Sequence, residues 1–283
     1  MNRIEKNKIA DAAIVYMICL MLTGAAASFL LPCIGLWASV LAFAADIAVV
    51  IAAVGIGHVK KEAVFRFGNS DFRSLIASVL VYSSALLIIV PIYLFGHLLV
   101  PNFAVSAFRV SDYVTSVGGW WIVALLTVVS SVAYTFLFEG YIYTRLRGIK
   151  SVPLRIAAVA FVAGFFRLDL YVILPCMVAE AAIVISRRIT GSLVMPTALQ
   201  IITSVLVMSV TELTSDAEKL PGVSMGAMQV SGLALICVAA AITAGIAALA
   251  VKGKFGKLPL AFRLSAFILA LVLVAVGCAV SAG

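Results

Sequence analysis

Residues 120–143 read WWIVALLTVVSSVAYTFLFEGYIY, twenty-four positions with one charged side chain, Glu139, and no proline. A stretch of about 20 apolar residues spans a bilayer when it coils into a helix, and this one lacks the period-two alternation of a barrel strand. In hydrocarbon a segment must hydrogen-bond its own backbone, so the run reads as a membrane-crossing helix.

Working outward, similar runs bounded by charges, Pro or Gly lie at approximately 11–31, 35–57, 74–100, 155–166, 170–186, 191–211, 228–251 and 264–282. The expected fold is all-α, a polytopic transmembrane helical bundle of about 8–9 spans, with 155–166 the shortest of them. Composition agrees: 64% of the 283 residues are hydrophobic and 11% charged, with a mean hydropathy of +1.22. A soluble domain carries roughly 45–50% apolar and about 25% charged residues. The runs follow one another too closely for a soluble domain of ordinary size to fit between them. The run 11–31 is expected to be the first span rather than a cleaved signal peptide, because many spans follow it.

The net charge of +8 is unevenly placed. Seventeen of the 20 basic residues fall in alternate connections: Arg3, Lys6 and Lys8; Lys60, Lys61, Arg66 and Arg73; Arg145, Arg147, Lys150 and Arg155; Arg187 and Arg188; Lys252, Lys254, Lys257 and Arg263. Only Arg109, Arg167 and Lys219 fall in the others. Such a bias marks the cytoplasmic side, so the N-terminus is expected in the cytoplasm and, with nine spans, the C-terminus outside. Basic loops can also touch anionic headgroups, so membrane lipid is an expected partner and nucleic acid is not needed to account for the charge. The loop holding Lys60, Lys61, Arg66 and Arg73 also carries Phe65, Phe67 and Phe72. It reads either as a segment lying on the membrane surface or as a solvated basic loop.

Five cysteines (Cys19, Cys33, Cys176, Cys237, Cys278) lie in or beside apolar runs without CxxC spacing, and the two histidines, His58 and His97, fall near the ends of different runs. Neither set points to a metal site or a disulfide framework, and no cofactor is expected. Intramembrane carboxylates are another matter, since each charge costs roughly 2.5–3.5 kcal/mol to insert. Asp46 falls mid-run in 35–57, Glu139 toward the end of 120–143 and Glu180 within 170–186. Their partners are expected to be each other, hydroxyls such as Thr135, or backbone and water. Glu139 pairing with Arg145 is the awkward option, because residues six apart do not share a helix face.

The run Phe138-Glu139-Gly140-Tyr141-Ile142-Tyr143-Thr144-Arg145-Leu146-Arg147 resembles the CAAX protease and bacteriocin-processing (CPBP) family of intramembrane proteases, whose first motif is EExxxR continuing as FRGxLxxxL. Phe161-Val162-Ala163-Gly164-Phe165 is similar to the second motif, FxxxH, and Thr190-Gly191-Ser192-Leu193 to the TGSL that opens the family's last core helix. Ten residues after that Thr the family places its HxxxN or HxxxD motif, which here reads Gln200 to Ser204.

The resemblance implies a core over 74–211, preceded by two helices and a basic loop in 1–73, followed by further helices in 212–283, and set in a bacterial or archaeal cell membrane. It also implies a cavity where paired glutamates and two histidines activate water, with a metal long debated. This chain places Tyr134 and Thr135 at the glutamates, Phe165 and Gln200 at the histidines, Glu139 at the motif arginine and Ser204 at the last motif's Asn or Asp. Phe165 can neither bind a metal nor carry a proton, and Gln200 does not titrate near neutral pH. A register that makes Glu139 the second glutamate puts Tyr143 at the arginine position and loses the Phe-x-Gly match.

The expectation is therefore a catalytically inactive relative of that type, holding a hydrophobic peptide, a lipid or a partner's transmembrane helix through hydroxyl and amide contacts of about 0.6–2 kcal/mol each. Two other classes compete. One is an endopeptidase in which Glu139 and Glu180, with or without Asp46, share a proton and activate water. The other is a proton-coupled transporter using the same acids as a relay, although broken helices in matching halves are not found. Pro196 is expected to bend its helix just before Gln200.

Overall fold

The computed structural model describes residues 3–57, 59–68, 70–99, 120–166 and 173–215, with 236, 239, 242–243, 245–246, 266 and 268–277. Among them all regular structure is helical. Helix α1 (Arg3–Ala25) runs on through a π-helical turn (Ala26–Leu30) into α2 (Leu31–Ile34), and α3 is Trp37–Ile56. A short α4 (Lys61–Val64) precedes α5 (Phe72–Leu99). Helix α6 (Trp120–Tyr134) passes into a π-helical stretch, Thr135–Ile142, and α7 (Tyr143–Arg145); then come α8 (Val152–Phe166), α9 (Ile173–Thr190) and α10 (Val194–Ser215).

Four stretches are long and apolar enough to cross a bilayer: Asn7–Ile34, Trp37–Ile56, Phe72–Ile89 and Trp120–Gly148. Val152–Phe166, Val194–Leu206 and Ile268–Gly277 are shorter apolar helices. The run expected at 228–251 lies mostly outside the described residues and that at 264–282 is described at 266 and 268–277; His58, the His97 side chain, Cys237, Cys278, Arg109, Arg167, Lys219, Lys252, Lys254, Lys257 and Arg263 also lie outside.

Trp120–Gly148 is the central element, with 61% of its most apolar window buried against 17% for Asn7–Ile34. Its lower half anchors one apolar core, in which Val15 and Cys19 of α1, Val50 and Val54 of α3 and Val64 of α4 pack on Leu137, Phe138 and Tyr141. That core crosses residue 73, so the first two helices and the central helix share one interior. On the other side α9 packs between α5 and α8 and contacts α10, which returns to α6. Close approach of α8 and α9 depends on Gly164, where a Cβ would fall 2.5 Å from Met177 Cγ and 3.1 Å from the Ile173 carbonyl oxygen. Small residues serve this purpose where lipid cannot drive helices together. Large apolar side chains such as Ile14, Met21, Ile51, Phe161 and Ile202 are exposed around the outside, as lipid-facing residues are.

The run Thr190-Gly191-Ser192-Leu193 has a local explanation. Gly191 adopts φ +65°, and its N–H bonds the Arg187 carbonyl, closing α9 with a left-handed residue that glycine takes without steric cost. Ser192 Oγ then accepts from the Val194 N–H at 3.3 Å and caps α10. The Leu193 N–H donates to the Arg66 carbonyl at 2.8 Å, fastening the basic loop to this turn. Pro196 falls in the first turn of α10, where its missing N–H would have had no helical partner.

Candidate functional site

Polar residues at helical spacing carry three helices into one buried contact. On the central helix Ser131, Thr135 and Glu139 are four apart, and on α10 Gln200 and Ser204 are too, so each set shares a face. Helix α9 brings Glu180 between them.

Glu139, Glu180 and Gln200 are 0%, 1% and 0% exposed. Gln200 Nε2 donates to Glu180 Oε1 at 2.5 Å, and the Glu139 carboxyl faces both groups within electrostatic reach. Ser131 Oγ and Ser204 Oγ lie 3.4 Å apart beside this cluster, and the Tyr82 hydroxyl of α5 meets Thr203 Oγ1 at 2.6 Å. Thr135 is fully buried, its Oγ1 without a hydrogen-bond partner among the described residues.

Glu139 is aimed inward by the π-helical stretch that contains it. There the Tyr143 N–H bonds back to the Phe138 carbonyl, five residues earlier, so the helix is wound wider than an α-helix. Gly140 lies against Val64, whose Cγ1 and carbonyl oxygen would each be 3.2 Å from an added Cβ. The basic loop is thereby seated directly on the turn that carries the acid.

The six positions aligned with protease motifs do not share one pocket. Glu139 and Gln200 lie within electrostatic reach of one another, with Glu180 as their common neighbour, and Ser204 is linked to the central helix through Ser131. Tyr134 stacks on Phe138 at 5.6 Å and lies edge-on to Phe166 at 5.5 Å, inside an aromatic cluster. Phe165 is 43% exposed and packs on Phe161 at 4.6 Å on the outer surface of α8.

Asp46 belongs to another contact: it is buried on α3 and accepts from Thr23 Oγ1 of α1 at 3.1 Å, with the Cys19 thiol alongside. Arg145 pairs with Asp11 at 3.3 Å and stacks over Tyr141 at 5.3 Å, so its ion-pair partner is Asp11 and not Glu139. Phe65 and Phe67 both pack on Phe136, at 4.9 and 6.0 Å, which ties the first of the loop aromatics to the bundle. Among the described residues, no group of three or more His, Cys, Asp or Glu side chains is placed to hold a metal ion.

Sequence reasoning over single acids passed over Ser131, Tyr82 and Thr203. The available signal was the four-residue ladder of hydroxyls leading to Glu139 in an otherwise apolar helix. Their contacts join helices far apart in the chain and could not be read from spacing alone.

No family model matches the chain, and neither does any curated protein or solved structure.

Proposed function

We propose that the chain is a membrane-embedded binding protein on a CAAX-protease-like frame, which holds a hydrophobic peptide, a lipid or a partner's transmembrane helix and does not hydrolyse it. The observation carrying this reading is the bond from Gln200 to Glu180 inside a cluster sealed from solvent. An amide side chain neither accepts a proton near neutral pH nor activates water, and here it engages a carboxylate that would otherwise serve as base. Phe165, at the position of a family histidine, faces outward and offers nothing to that cluster. Joined this way, Gln200 and Glu180 act as an interhelical clamp between α10 and α9, with the Glu139 carboxyl beside them.

One observation favours a second reading, an endopeptidase of the same type: Glu139 and Glu180 are neighbours, as a catalytic carboxylate pair must be. Their burial argues against it, because a peptide bond and a water must both reach such a pair.

The two readings separate in proteoliposomes containing the purified chain and a fluorogenic membrane-anchored peptide. Fragment release is expected at the level of empty liposomes for the natural chain and for Glu139→Gln alike. Release that vanishes in Glu139→Gln and Glu180→Gln while both variants stay folded would establish the peptidase instead.

A further inference from the structure

At the basic end of the bundle, the loop after α3, the turn before α8 and the end of α9 enclose a cavity of about 520 Å³. Into it face Lys60, Arg66, Arg147, Arg155, Arg187 and Arg188, with Glu62 the one acidic side chain in the lining. Six cations less one carboxylate leave a formal surplus of five charges around a space of ligand size.

Basic residues at a membrane surface commonly face water, each turned from the others. Arg187 is not so placed. It is 6% exposed, its Nη2 donates to the Ala63 carbonyl at 3.3 Å, and its Nη1 is buried without a hydrogen-bond partner among the described residues. Burial, reinforced by the nearby Arg147 and Arg66, holds its guanidinium below its ordinary pKa, while Glu139 acts in the opposite sense. Among the described residues this buried guanidinium has an idle donor and no ion-pair partner within bonding distance, with Glu139 acting on it from further off.

The walls are fixed in place. Ala63 is held by Arg187 and by Thr144 Oγ1 at 3.2 Å, Arg66 by the Leu193 N–H, and Arg155 by the Ile149 carbonyl at 3.1 Å and by the Tyr143 ring at 5.4 Å. Preorganised donors lose little freedom when a ligand arrives.

We propose that this cavity is a binding site for a phosphoryl group carrying more than one negative charge, a phosphomonoester or pyrophosphate, with Arg187 as its buried anchor and Arg66, Arg147, Arg155 and Arg188 around it. Arginine forks fit tetrahedral oxyanions in pairs, and a single carboxylate would neutralise only one of the five surplus charges. The group can arrive as the headgroup of an anionic lipid or as a soluble phosphate ester. Glu139, Glu180 and Gln200 are not in the cavity lining, and the inference does not rest on whether that cluster is silent.

The test uses the full chain in phosphatidylcholine nanodiscs, with and without phosphatidic acid, titrated with inorganic pyrophosphate by calorimetry. Saturable binding of pyrophosphate is expected, weakened tenfold or more by Arg66→Gln or Arg188→Gln, both exposed, and by Arg187→Gln where that variant folds. Lys8→Gln, outside the cavity, is expected to change it less than twofold. If phosphatidic acid in the nanodisc blocks pyrophosphate, the lipid headgroup is the source; if it does not, a soluble phosphate ester is, and either result supports the site. Absence of pyrophosphate binding in plain phosphatidylcholine discs, or equal weakening by Lys8→Gln and Arg66→Gln, overturns it.

Discussion

Replacing Gln200 by leucine removes the donor that Glu180 Oε1 uses in the sealed interior while keeping an apolar group of similar length. A buried acceptor left without its donor costs about 1–3 kcal/mol, so Gln200→Leu is expected to lower the thermal midpoint of the detergent-purified protein by several degrees. An unchanged midpoint would mean that the amide does not hold α9 to α10. Other buried polar groups serve distinct contacts: Asp46 with Thr23 joins α3 to α1, and Tyr82 with Thr203 joins α5 to α10. The acids expected to act as one set are thus divided between two interfaces, because Asp46 sits on a helix that turns its polar face to α1. Glu180 and Arg187 are seven residues apart on α9, on one face and about 10 Å apart along the axis, which places the acidic cluster just inboard of the basic cavity.

At the scale of elements, the turn after α9 is the joint on which the basic end depends. Gly191 lies at φ +65°, where a Cβ crowds its own backbone whatever the surrounding space. Gly191→Ala is expected to destabilise by about 1–2 kcal/mol and to loosen the Leu193–Arg66 bond, read as faster amide exchange at 191–193. Exchange at those amides equal to that of the natural chain would show that the turn is not strained by a side chain. The Thr-Gly-Ser-Leu resemblance is consistent with this local chemistry alone: a left-handed helix end followed by a serine cap. Gly140 does related work one layer in, allowing α4 to seat on the π-helical stretch that orients Glu139.

For the whole molecule, the described cationic side chains of the loop after α3, the turn after the central helix and the end of α9 gather at one end of the bundle. That end is expected to face the cytoplasm, as a surplus of retained basic residues would have it. With the native cysteines replaced by alanine, Lys61→Cys and Arg147→Cys should react with a membrane-impermeant maleimide in inverted vesicles and not in intact cells; the reverse pattern would invert the topology. Four helices of crossing length, and exposed apolar side chains on their outer faces, place the chain in a bilayer whichever way that result falls.

The sequence by itself determined the helical class, the presence of apolar helices long enough to cross a bilayer, and the identity of the buried acids. Those follow from composition and from the length a lipid layer demands, which are properties of contiguous residues. Which acid meets which partner was decided only by the tertiary structure. Glu180 and Gln200 find each other, Asp46 finds Thr23 and Phe165 turns outward because helix rotation and packing against small residues such as Gly164 set the facing sides. The basic cavity came into view for the same reason, since its walls come from segments more than a hundred residues apart, from Lys60 to Arg188, and no spacing within one run encodes it.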